Sequence, residues 1–104
     1  MSVYYEWCVE VVDQYDDIVD CYHSDSLAQA MEWAADGDGE YEHQICLVRT
    51  EETFCGDRAW AYLTDDGRLP EYFADAFGHD TTRVPKRFHR ETERQVTDRK
   101  STRL

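Results

Sequence analysis

Four cysteines (Cys8, Cys21, Cys46, Cys55), four histidines (His23, His43, His79, His89) and 23 carboxylates are the side chains of this 104-residue chain that could do chemistry. Cys21-Tyr22-His23 is the one close pairing of thiol and imidazole. Two positions apart on a strand, both side chains point to one face. A structural zinc site needs a second pair of ligands, and the sequence offers none, so Cys21 and Cys46 read as small core residues in apolar strands. Asp36-Gly37-Asp38-Gly39-Glu40 begins like a calcium loop, but Tyr41 falls where the sharp turn needs glycine and Leu47 where the bidentate glutamate belongs. It reads as a helix-ending turn. Cys55, in the loop Thr53-Phe54-Cys55-Gly56-Asp57, is the cysteine expected to be exposed. No local signature ties it to a histidine base, and acidic surroundings hold a thiol in its unreactive protonated form. With no phosphate-cradling glycine loop and no dinucleotide fingerprint, the chain is expected to be no enzyme, with no catalytic residue, no metal site and no cofactor.

Charge is the more informative property. Residues 1–80 carry twenty carboxylates against three cations (Arg49, Arg58, Arg68), a net −17, while residues 81–104 carry eight cations and three carboxylates, a net +5. This division predicts an acidic domain over 1–80 and a basic extension over 81–104, partly docked on it. An acidic field repels nucleic acid and speeds encounter with cationic protein surfaces. Direct nucleic-acid binding by the acidic body is therefore excluded. Lys86, Arg87, Arg90 and Arg94 fall on one side of a helix in the basic segment, where they could neutralise phosphates, pair with the acidic body of this chain or of a second copy, or simply be solvated. Lysine is scarce, two against nine arginines, as on the acidic surfaces of proteins adapted to salt. No apolar run approaches the length of a membrane span, and the first residues lack a secretory signal pattern. A cytoplasmic location, with no membrane contact, is expected.

The elements that must position these groups start with Val3 to His23, which reads as a β-hairpin. Val3, Tyr5, Trp7, Val9 and Val11 alternate with Tyr4, Glu6, Cys8 and Glu10, the period of a strand with one buried face. After Asp13-Gln14-Tyr15-Asp16-Asp17 the chain resumes at Ile18. The register that keeps one face apolar sets Val11 opposite Val19, Val9 opposite Cys21 and Trp7 opposite His23. It places Cys8 and Cys21 on opposite faces and Glu10 across from Asp20, a mildly unfavourable pair of like charges. Ser26 and Gln29 form a capping box opening a helix whose apolar stripe is Leu27, Ala30, Met31 and Ala34. Trp33 lies at the edge of that stripe, at the border of core and solvent. Ile45-Cys46-Leu47-Val48 reads as a central strand and Arg58 to Leu63 as a fourth, followed by a turn at Thr64-Asp65-Asp66-Gly67. Pro70 suits the start of a short aromatic helix over Glu71 to Phe77. Pro85 opens a helix through about Arg99 in which Val84 to Phe88 dock on the body. The resulting class is α+β: a mainly antiparallel four-stranded sheet with one main helix on one face, in the order ββαββα.

The acidic cluster Glu6, Glu10, Asp16, Asp17 and Asp20, the small single-domain size and the lack of catalytic signatures make the chain similar in kind to acidic accessory proteins of phages and prophages. Segments such as Trp60-Ala61-Tyr62-Leu63 and Val84-Pro85-Lys86-Arg87-Phe88 share that character. Within the group it resembles DNA-mimic anti-restriction and anti-CRISPR proteins, in which carboxylates take the place of phosphates. That resemblance implies a non-enzymatic inhibitor in a host bacterium, whose partner is a basic nucleic-acid-binding protein or complex. The expected contact residues are the five carboxylates together with Trp33. A regulatory or structural interaction module, as a monomer or a homodimer, using the basic tail is the alternative; deletion of residues 84–104 is expected to separate the two.

Overall fold

β1 (Val3–Val12) is the strand on which the molecule is assembled, because it has a partner along each edge. The computed structural model describes residues 3–35, 40–51, 57–64, 66–73 and 79–101. β1 pairs with β2 (Ile18–Ser24) on one side and with β3 (Glu42–Glu51) on the other, and β4 (Asp57–Tyr62) completes an antiparallel sheet of order β2-β1-β3-β4. α1 (Leu27–Ala35) follows β2, and α2 (Lys86–Ser101) follows a 3-10 turn at Thr81–Arg83. The fold is α+β, as the alternation of apolar periods predicts.

Both helices pack on one face of the sheet. Trp7 and Val9 from β1, Leu47 from β3, and Ala59 and Ala61 from β4 meet Leu27 and Ala30 from α1 and Phe88 from α2 in a single core. Small alanines on β4 leave room for large rings, and the Phe88 ring lies 5.7 Å from that of Trp7 and 5.8 Å from that of Tyr5. Val84 and Phe88 are buried in this same core, so the basic segment closes it. A fully buried phenylalanine of this kind stabilises by roughly 2–3 kcal/mol through area alone.

One contact joins three elements. Glu91 of α2 accepts hydrogen bonds from the Trp7 indole N–H at 3.2 Å and from the Leu27 backbone N–H at 2.9 Å. The first turn of α1 has backbone donors without partners in the helix, and Glu91 places a carboxylate at that positive end. The expected capping box is half formed. Gln29 N–H donates to Ser26 Oγ at 3.4 Å, while Ser26 N–H donates to Ser24 Oγ at 3.0 Å.

The hairpin register differs from expectation by one residue. Trp7 faces Ser24, Cys8 faces His23, Val9 faces Tyr22, Glu10 faces Cys21 and Val11 faces Asp20, and an irregularity between Val11 and Val12 sets Val12 against Ile18. β2 is an edge strand exposed on both faces up to Ser24, so no buried apolar set on it dictates the pairing. The irregularity has the form of a bulge at Val19, a device common on edges. Consequently Glu10 does not oppose Asp20, and Cys21 is a surface residue, not a core one. Cys8 and Cys21 share a sheet face.

The aromatic helix expected over Glu71 to Phe77 is not present at Glu71–Phe73. Tyr72 instead bridges to Asp80, Phe73 N–H donates to the His79 carbonyl, and Thr81 N–H donates to the Glu71 carbonyl. This doubling-back buries Phe73 in the core and leads the chain into α2. Residues 74–78 lie outside the described residues, as do the expected helix stop at 36–39 and Cys55.

Candidate protein-interaction surface

The hairpin end brings three exposed carboxylates beside three exposed apolar side chains. Asp13 Oδ1 accepts from the backbone N–H groups of Tyr15, at 2.8 Å, and Asp17, at 3.0 Å. Backbone bonds from Asp13 N–H to the Asp17 carbonyl and from Asp16 N–H to the Asp13 carbonyl close the turn. Asp16 sits in the left-handed region, φ 64°, which aspartate tolerates because its short side chain bonds locally. The turn is thus held by its own side chains. Tyr15 is 74% exposed, Ile18 57% and Val19 52%, and Asp16, Asp17 and Asp20 stand among them on the surface. Glu40 and Tyr41, just ahead of β3, line a hollow with Asp13, Tyr15 and Val19.

The five carboxylates of the sequence-derived cluster do not share one face. Asp16 and Asp17 lie in the turn. Asp20 pairs with Val11 and so belongs to the helix side of the sheet, at its rim, where it accepts from the Tyr22 hydroxyl at 2.8 Å. That hydrogen bond, and the nearby charge, push the exposed Tyr22 phenol up. Glu6 and Glu10 project from the opposite face. His23 Nδ1 lies 3.0 Å from Glu6 Oε1. Glu10 is only 4% exposed: its neighbours Gln44 and Cys21 on the flanking strands enclose it, and it is not available to a partner. Trp33 is half-buried, its ring 5.8 Å from that of Tyr22, and seals the border between α1 and β2 as expected from its place in the stripe.

The expected register put Val19 on the core face, and it is a surface residue. The signal was present in β2 itself, where Ile18-Val19-Asp20 breaks any buried period of two. Asp13, two and four residues ahead of the amides it caps, carried the pattern of an aspartate-initiated turn.

On and ahead of α2, Arg83, Lys86, Arg87, Arg90 and Arg94 are all exposed. Arg87 lies over the Phe88 ring at 4.2 Å. Elsewhere His23 lies beside Glu6, Arg49 pairs with Glu51 and Arg68 with Asp66.

A cleft opens between α1, Gln95 of α2 and the β3 and β4 ends, lined by Leu27, Met31, Ile45 and Leu63 with His43. Among the described residues no three histidine, cysteine or carboxylate side chains gather as a metal site. Cys21 Sγ and His23 Nε2 are 3.7 Å apart, without a further ligand. No helix among the described residues is long and apolar enough to cross a membrane. The chain matches no family model, no curated protein and no solved structure.

Proposed function

We propose that the chain is a non-enzymatic binding protein that docks its acidic hairpin end on a cationic, nucleic-acid-binding groove of another protein and blocks it. The observation that supports this reading is the company Asp16, Asp17 and Asp20 keep: they stand among the exposed Tyr15 of the turn and Ile18 and Val19 at the start of the edge strand β2. Carboxylates steer the encounter with a basic groove and select it. The apolar side chains supply the affinity that surface ion pairs lack, since such pairs are worth about 0–1 kcal/mol each and a newly buried Ile or Val about 1.5–3 kcal/mol. A turn already held by Asp13 loses little entropy on binding. The contact set is therefore Tyr15, Asp16, Asp17, Ile18, Val19 and Asp20, in place of one that includes Glu6 and Glu10. Inhibition of a host defence complex, as the likeness to phage anti-defence proteins implies, is the setting in which such a surface acts.

Capture of nucleic-acid-binding proteins from a bacterial lysate by immobilised chain tests this, with elution by salt and by competing duplex DNA. Combining Asp16→Asn, Asp17→Lys and Asp20→Lys should abolish capture; asparagine keeps the left-handed turn position. Capture that survives this change rejects the proposal. The exposed arginines of α2 favour a second reading, a module that grips an acidic partner. Deletion of residues 84–104 cannot separate the two, because it would remove Val84, Phe88 and Glu91 from the fold. Reversal of Arg87, Arg90 and Arg94 to Glu does so: it should leave capture by the hairpin end intact.

A further inference from the structure

Three thiols and a carboxylate lie together on the sheet face that carries no helix among the described residues. Cys8 and Cys46 are direct cross-strand partners on β1 and β3, 3% and 0% exposed, with Val48 and Trp60 packed against them. Glu10, next on the same face of β1, accepts from the Cys46 thiol at 3.5 Å, and burial together with the nearby Glu10 carboxylate pushes the Tyr62 phenol up. No lysine or arginine pairs with Glu10 among the described residues. A carboxylate buried without a cation is costly to a fold. Its position beside a thiol is what the fold obtains in return.

We propose that Cys8 and Cys46 form a reversible dithiol–disulfide pair oxidised by hydrogen peroxide, with Glu10 as the positioned base for Cys46. Directly opposed residues in antiparallel strands have Cα atoms about 4.5 or 5.5 Å apart, inside the roughly 4.4–6.8 Å that a disulfide spans. The strands need not move. Cys21 is excluded from the pair: Cys8 faces His23, so Cys21 is its diagonal neighbour at about 7–8 Å. Peroxide is small enough to pass a cover made of side chains alone. The Cys46 thiol directs its proton at Glu10; the adjacent Cys46 thiol lowers the Cys8 pKa, and the adjacent Cys8 together with burial pushes Cys46 up. Cys8 is accordingly the attacking sulfur, and Cys46 is the one that needs a base.

Cys8 sulfur attacks one peroxide oxygen, the O–O bond breaks, and the departing hydroxide takes the thiol proton to leave as water. The product is a Cys8 sulfenic acid, the sulfur oxidised by two electrons and the peroxide reduced by two. Cys46 then passes its proton to Glu10 Oε1, and its sulfur attacks that of Cys8. The S–O bond breaks, and the hydroxide collects the proton from Glu10 as a second water. Two thiols and one peroxide become one disulfide and two waters.

The test treats the folded chain with hydrogen peroxide, alkylates free thiols in denaturant and maps cross-linked peptides by mass spectrometry. A Cys8–Cys46 cross-link that dithiothreitol reverses supports the proposal. Overturning results are Cys8 and Cys46 still alkylated, oxygen adducts on either without a cross-link, or Cys8 joined to Cys21. The wild-type map stands whether or not any variant folds. In a Cys21→Ser, Cys55→Ser background, Glu10→Gln should slow disulfide formation about a hundredfold, the low end of what a positioned base supplies, with unchanged connectivity and far-UV dichroism. An unchanged rate removes Glu10 from the mechanism.

Discussion

The two faces of the sheet are buried by different means. On one, α1 and α2 cover Trp7, Val9 and Leu47 with Leu27, Ala30 and Phe88, a core in which apolar surface meets apolar surface. On the other, Cys8, Glu10, Cys46 and Val48 are as inaccessible, yet the apolar group packed over them is the half-buried Trp60. The difference teaches that inner strands can lose contact with water beneath a cover one side chain thick. Such a cover leaves polar groups to satisfy one another, and it accommodates a gap more readily than interlocked helices do. β1, which supplies Trp7 and Val9 to one face and Cys8 and Glu10 to the other, feels both environments at alternate residues.

Stability measurements can break or sharpen this contrast. Phe88→Ala removes the ring that α2 contributes to the helix side and should lower the unfolding free energy by about 3–5 kcal/mol in urea titration. That is a large part of the roughly 5–15 kcal/mol that holds a domain together. Glu91→Ala, which strips one carboxylate from two donors, should cost about 2–3 kcal/mol, as hydrogen bonds to a charged group do; Glu91→Gln should recover part of it. The same truncation on each face is the sharpest comparison. Val9→Ala is expected to cost about 2–3 kcal/mol and Val48→Ala about 1–2 kcal/mol, because a thin cover collapses further into the space left behind. Equal losses would show the two faces to be packed alike.

Smaller effects should follow at the surface. Backbone and side-chain hydrogen bonds from Thr82 hold the exposed Asp80 carboxyl below its ordinary value of 3.8. A carboxyl whose folded pKa is depressed stabilises the fold above its unfolded pKa and loses that contribution as pH falls through the folded one. Asp80→Asn should therefore lower stability slightly at neutral pH, the difference from the natural chain fading below about pH 4, as thermal melts across that range would reveal. Cys21→Ser should alter stability by no more than about 0.5 kcal/mol, since Cys21 lies on the exposed strand.

The main elements of the fold were legible because their apolar periods were long: ten residues for β1, a four-residue stripe for α1, a run buried on both sides for β3. The register of β2 was not, since pairing arguments need a buried face and β2 has none. For the same reason the acidic cluster looked continuous. Alternation placed Glu6 and Glu10 correctly on one face of β1, but neighbouring strands decide whether that face meets water, and Gln44, Cys46 and Tyr62 close over Glu10. Glu71 to Phe73 carried helical spacing and a preceding proline, yet bonds to His79 and Thr81, several residues on, prevailed. Glu91 looked like one acid in a basic helix; only coordinates link it to Trp7, 84 positions away.

That last link bears on how the protein is made. Translation delivers Trp7 and the opening of α1 long before Glu91 and Phe88 exist to complete them, and contacts of such long sequence separation are slow to form. Until the final quarter of these residues leaves the ribosome, an indole and a helix start wait without their acceptor, and the sheet presents Tyr5, Trp7 and Leu47 bare. A chain in that condition is prone to aggregate or to recruit chaperones, so the emergence of Phe88 and Glu91, and not synthesis of the hairpin, is the moment at which these elements acquire their shape.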